Sequence, residues 1–95
     1  MITILATLQA KPDMGEQLEH HLKKVLAPSR SETGCISYTL HRVNDHPDTF
    51  VFYEVWESQQ ALEAHVASPH YEEYRNNTAP LIANRDVKFL TVVED

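Results

Sequence analysis

Ninety-five residues with a net charge of −6 suit one compact domain spanning 1–95, and eight Lys and Arg against fourteen Asp and Glu argue against a nucleic-acid partner, whose phosphates need a basic stripe. No apolar run approaches the roughly 20 residues that a membrane span needs, so no membrane association is expected. Two glycines leave no Gly-rich phosphate loop, the single Cys35 allows no internal disulfide, and the N-terminal MITILATLQA lacks a signal-peptide pattern, so a cytoplasmic location is expected.

Residues 2–10 alternate, with Ile2, Ile4, Ala6 and Leu8 on one side and Thr3, Leu5, Thr7 and Gln9 on the other. This predicts a first strand that ends at Lys11-Pro12. Asp13, with Glu16 three residues later, has the pattern of a capping box, and Met14, Leu18, Leu22 and Val25 then recur at the spacing of a long first helix. Pro28 removes a backbone donor and should kink or tighten that helix near its end. Gly34 supplies the turn out, with Arg30 and Glu32 near the exit. Ile36, Tyr38 and Leu40 alternate with Ser37, Thr39 and His41 in a second strand, and the turn formers Asn44-Asp45-His46-Pro47-Asp48 predict a hairpin into a third.

In the third strand Phe50, Phe52, Glu54 and Trp56 share one face, and Val51, Tyr53 and Val55 share the other. Both faces are largely apolar, yet two helices can cover only one face of a four-stranded sheet. The second face therefore predicts a homodimer formed by sheet-on-sheet packing. Ser58 caps a short helix to Ala67, Ser68-Pro69 starts another that runs through Tyr74, and Val87–Val93 forms the last strand. The order βαββαβ predicts an α+β, ferredoxin-like fold with both helices on one face of a four-stranded antiparallel sheet.

The run Phe52-Tyr53-Glu54-Val55-Trp56-Glu57-Ser58, followed by Ala61-Leu62-Glu63-Ala64-His65 and then Ser68-Pro69-His70-Tyr71, resembles the signature of the antibiotic biosynthesis monooxygenase domain family. Upstream, Ala27-Pro28-Ser29-Arg30 and Gly34-Cys35 resemble its small quinol-monooxygenase-like bacterial members. The resemblance implies a homodimer of ferredoxin-like subunits, a dimeric α/β barrel, with a pocket in each subunit between sheet and helices. It places Glu54 and Trp56 toward the helices, with His65 looking across the same cavity.

His65 follows Ala61 by four and Leu62 by three, on the buried stripe of its helix, and with an ordinary imidazole pKa near 6.5 it can take a proton from a phenol at neutral pH. Its plainer role is a hydrogen-bonded core residue. Glu54, a buried carboxylate needing a partner, is expected either to make a structural ion pair or to orient His65 or a substrate hydroxyl. Trp56, with Phe52 beside it, is either core or the flat wall against which an aromatic substrate stacks. Tyr71 and Tyr74, three apart on one helical face, are either packing or hydroxyl donors over the pocket. His70 is expected to be exposed. The pairs His20-His21, His41-His46 and His65-His70 show no known ligand spacing, so no metal is expected, and no flavin or haem motif is visible. Arg30, His41, Arg42 and Arg85 could each polarise a substrate oxygen or simply be solvated.

Family oxygenases use no flavin, haem or metal, because a deprotonated hydroquinone or anthrone can itself pass an electron to O2. The resemblance thus implies a cofactor-free monooxygenase acting with O2 on a small phenol, quinol or anthrone, with His65 and Glu54 as catalytic residues and Trp56, Phe52, Tyr71 and Tyr74 around the substrate. An isomerase of a hydroxyketone or lactone would use the same base without oxygen; for a phosphorylated substrate, Arg75 and Arg85 are the candidate cations. A non-catalytic dimeric small-molecule binding or stress-response protein is the remaining alternative. Haem degradation is disfavoured, because the strand from Ile2 to Ala10 lacks the asparagine carried by that branch.

Overall fold

A computed structural model describes all residues, 1–95. Strand β1 (Ile2–Ala10) buries Ile4, Ala6, Leu8 and Ala10 on one face, as its period of two requires. Lys11 to Met14 then make a turn with Pro12 in the second place and Asp13 at a φ of 65° in the third, closed by the Met14 N–H on the Lys11 carbonyl at 3.0 Å. Asp13 is thereby committed to the turn and the expected capping box does not form. Met14 takes the cap position instead, and α1 runs over Gly15–Lys24 with Leu18 and Leu22 in the core.

The long first helix is broken, though not at Pro28 itself. Helix α2 (Leu26–Arg30) follows after Val25, because Pro28 has no N–H to give to the carbonyl of Lys24, four residues earlier. Gly34, at a φ of 89°, turns the chain into β2 (Cys35–Val43). A Cβ on Gly34 would lie 2.6 Å from the Cβ of Ala61, so this turn rests directly on the helix that follows β3.

Strand β3 (His46–Trp56) begins earlier than its turn formers suggested, since only Asn44 and Asp45 form the hairpin turn and Asp45 takes the left-handed conformation, with a φ of 67°. Pro47 is accommodated where the register of β2 against β3 slips between Arg42 and Val43. A second slip, between Cys35 and Ser37, throws Ile36 out to 55% exposure, so the expected Ile36, Tyr38, Leu40 row starts only at Tyr38. Ser58 caps α3 (Gln59–Val66) through the Ala61 N–H, and Ser68 caps α4 (Pro69–Thr78) through the Tyr71 N–H, as expected.

A short 3₁₀ turn at Ala79–Leu81 leads into β4 (Ile82–Leu90), which starts five and ends three residues before the expected Val87–Val93. Leu90 is already opposite Thr3, near the beginning of β1, so the segment after it has no strand left to pair with. The sheet order is β2-β3-β1-β4, every neighbouring pair is antiparallel, and the helices lie on one face in the ferredoxin-like arrangement. No helix is long and apolar enough to cross a membrane. On the uncovered face Tyr53 is 38% exposed, with Val51 and Val55 half-buried beside it.

Candidate functional site

Between the helices and the sheet, on the β1 and β4 side, lies a cavity of about 200 Å³. Its wall is largely apolar, with Ile4 and Ala6 from β1, Leu62 and Val66 from α3, and Val87 and Phe89 from β4. The polar groups on it are Tyr38, Glu54, His65, Tyr71, Tyr74 and Arg85. This is the pattern of a small-molecule site: an apolar concavity with a few convergent polar groups.

His65 is 1% exposed on the inward face of α3. The Gly34 turn, seated on Ala61 one helical turn earlier, brings Glu32 up to it. His65 Nδ1 lies 2.6 Å from Glu32 Oε2, and since a carboxylate only accepts, Nδ1 carries the proton. Nε2 is consequently left with its lone pair, buried and without any hydrogen-bond partner. Burial holds the imidazole below its ordinary pKa, with the Glu32 carboxylate opposing that effect, so the neutral form is favoured at neutral pH. Neutral, desolvated and fixed in one tautomer, His65 has the state required of a general base.

Glu32 also accepts from His70 Nε2 at 2.8 Å. His70 is therefore half-buried, contrary to its expected exposure. The ligand atoms of Glu32, His65 and His70 lie within 4.8 Å of one another, a set of donors that spacing along the chain does not suggest. One carboxylate oxygen shared by two ring N–H donors accounts for the cluster, and the same three groups are chemically suited to a divalent cation.

Glu54 makes no hydrogen bond to His65. Its Oε1 accepts from Trp56 Nε1 at 3.0 Å, two residues along the same strand face. Burial pushes the Glu54 carboxyl up, against the Trp56 hydrogen bond and the charge of Arg85. Trp56 and Phe52 were expected to face the substrate, but both are fully buried behind the cavity wall. Trp56 stacks on His65 instead, with ring centroids 4.4 Å apart and planes 32° from parallel, and Phe52 packs edge-on against Tyr74 at 5.9 Å. The wide side chains of β3 fill the layer under the helices, and this leaves the cavity to the β1 and β4 side.

Tyr71 and Tyr74 both line the cavity, and Tyr71 packs edge-on to His65 at 5.0 Å. Burial raises the phenol of Tyr74. Tyr38, which no sequence pattern singled out, meets His65 edge-on at 5.3 Å, its phenol also pushed up by burial. Of the scattered cations, only Arg85 reaches the cavity: Arg30 is bonded to the Tyr38 carbonyl, Arg42 to Glu19, and His41 lies against the Val51 carbonyl. Burial raises the Cys35 thiol, as befits an unreactive side chain.

The sequence pattern of the antibiotic biosynthesis monooxygenase family matches residues 1–77. A Synechocystis protein of uncharacterised activity is 31% identical over 94 residues, covering 98% of this chain, which spans 64% of that relative's length. YgiN of Escherichia coli K12, described as a probable quinol monooxygenase, is 25% identical over 105 residues, with 95% of this chain and 96% of its own length covered. Among solved structures, PA3566 from Pseudomonas aeruginosa superposes with a TM-score of 0.93 at 32% identity, covering 98% of this chain and 94% of that one.

Proposed function

Because the chain belongs to the antibiotic biosynthesis monooxygenase family, we propose that it is a cofactor-independent monooxygenase that oxidises a small phenolic or quinol substrate with O2. The observation that carries this reading is His65, a residue of the cavity wall whose Nδ1 is held by Glu32 and whose Nε2 is buried without a partner. The name of the Escherichia coli relative adds support for a quinol. A cavity of about 200 Å³ lies below the roughly 300 Å³ at which drug-sized sites begin, which favours a single ring over a three-ring anthrone.

In this mechanism His65 Nε2 removes a hydroxyl proton from the quinol. The electron-rich anion passes one electron to O2, and the resulting radical and superoxide combine into a peroxide on the ring. Loss of water then leaves a hydroxyquinone, so that quinol plus O2 gives hydroxyquinone plus H2O. The protein supplies the base, a largely apolar wall, and hydroxyl donors for the developing oxyanion. Glu54 is the second acid–base group on the wall, suited by its raised pKa to return a proton. Trp56 and Phe52 act from behind, by holding His65 and Tyr74 in place.

The proposed working unit is a homodimer joined through the outer sheet face, where Leu5, Val51, Tyr53 and Val55 lie half-exposed. Oxygen uptake with hydroquinones tests the activity. Proton exchange on a hydroxyketone under argon would instead mark an isomerase using the same base.

A further inference from the structure

Tyr71 is held in an unusual way at the rim of the cavity. Arg75, one turn further along α4, places Nη1 3.0 Å from the Tyr71 hydroxyl, and Arg85, on β4, places Nη2 3.3 Å from the same oxygen. The Cζ of Arg75 also lies 5.8 Å from the centroid of the Tyr71 ring. Two like charges thus converge on one neutral acceptor, a repulsion that a bound anion would relieve. Neither guanidinium has a carboxylate within 4.0 Å: the ion pairs of the chain join Glu19 to Lys23 and Arg42, Glu32 to His65 and His70, and Asp86 to Lys88. Lys11, Lys24 and Arg30 also make no ion pair, so it is the convergence of Arg75 and Arg85 on one hydroxyl at the pocket, and not the missing carboxylate alone, that sets them apart.

The hydroxyl chemistry points the same way. A phenol oxygen has two lone pairs and one proton, and here guanidinium N–H groups take up both lone pairs. The Tyr71 proton is then left to be donated. Together with the remaining guanidinium N–H groups it makes a cluster that contains only donors, carries two positive charges, and borders a cavity whose other polar groups are Tyr38, Glu54, His65 and Tyr74. Guanidinium forks of this kind suit planar or tetrahedral oxyanions.

We propose that Tyr71, Arg75 and Arg85 form a subsite for an anionic group of the substrate, so that the pocket takes a single ring bearing a hydroxyl and a carboxylate or phosphate. This rests on the cavity being the substrate site, with His65 at the hydroxyl end and the cationic rim at the acidic end.

The test is calorimetric titration of the full chain at fixed salt with hydroquinone, 2,5-dihydroxybenzoate and 4-hydroxyphenyl phosphate, repeated on Arg75→Gln, Arg85→Gln and the double variant, with melting curves confirming that each is folded. At least one acidic probe should bind tenfold or more tighter than hydroquinone, and the double substitution should reduce that advantage to under twofold, with any change in hydroquinone binding smaller than the change in binding of the acid. Which acid gains more identifies the group. Equal affinity for neutral and acidic probes, an advantage that survives the double substitution, or no binding by any probe would overturn the subsite. Preferential, arginine-dependent binding without oxygen uptake would preserve the subsite and remove the oxygenase activity; oxygen uptake on hydroquinone without any preference for acids would do the reverse.

Discussion

His65 Nδ1 and Glu32 Oε2, 33 residues apart in the chain, lie 2.6 Å apart in the fold and leave Nε2 buried and unpartnered on a residue that lines the cavity. The contact depends on Gly34, whose missing Cβ lets the loop after α2 sit on Ala61.

Replacing Glu32 with Gln should lower the turnover number much more than it changes KM. An amide can present its N–H group to His65 Nδ1 and thereby move the ring proton to Nε2; the loss can reach about 10⁴-fold, as when a catalytic imidazole is held in the wrong tautomer. The carboxylate opposes the lowering of the His65 pKa by burial, so its removal should shift the acidic limb of the pH–rate profile to lower pH. A profile that stays in place with an unchanged rate would assign Glu32 to packing alone.

Glu54→Gln should stabilise the protein at neutral pH. Burial raises the folded-state pKa of Glu54, so the native fold binds its proton more tightly than the unfolded chain does. Its stabilising contribution is therefore present below the ordinary carboxylate range and is lost as pH rises through the raised value. Gln keeps an acceptor for Trp56 Nε1 without the buried charge. His65 acts in the opposite sense: because its folded pKa is lowered, stability falls as pH drops below about 6.5. Melting curves of both proteins from pH 4 to 8 should show the Gln variant gaining most at the upper end.

Val51→Asp should break the proposed dimer. An unpaired carboxylate placed in a sheet-on-sheet contact costs about 3 kcal/mol or more, roughly a hundredfold or greater in the association constant. Sedimentation velocity at micromolar concentration should show a dimer for the parent protein and a monomer for the variant. A monomeric parent would remove the dimer from the proposal and leave the fold unchanged.

Much of the fold was legible because its signals are local. The two-residue period of β1, the Ser58 and Ser68 caps, and the two-faced β3 each carry their own physics. Errors arose where a long-range partner decided the outcome: β4 ends where β1 runs out, and Ile36 is expelled by a register slip that alternation cannot reveal. The site follows the same rule. His65 was visible on the buried stripe of its helix, whereas its partner Glu32 comes from a loop on the other side of β2 and β3. Glu54 appeared to be that partner because it shares the inward face, but Trp56, two residues on, is close enough to claim its carboxylate first. Trp56 could not be told from a pocket wall by sequence, since a buried aromatic facing the helices looks the same whether the cavity lies in front of it or beside it.

The most direct measurement is an oxygen-electrode trace for parent and His65→Ala protein on hydroquinone or an acidic derivative, normalised to folded molecules by melting curves on the same samples. Removal of a positioned general base should lower the rate by roughly 10²–10⁴-fold. Glu32 retains its hydrogen bond from His70, so the loss of stability should come mainly from the vacated ring volume and leave the variant folded at 25 °C. A variant that consumes oxygen as fast per folded molecule as the parent would contradict the assignment of His65 as the base, and Glu54 would be the next group on the cavity wall to test.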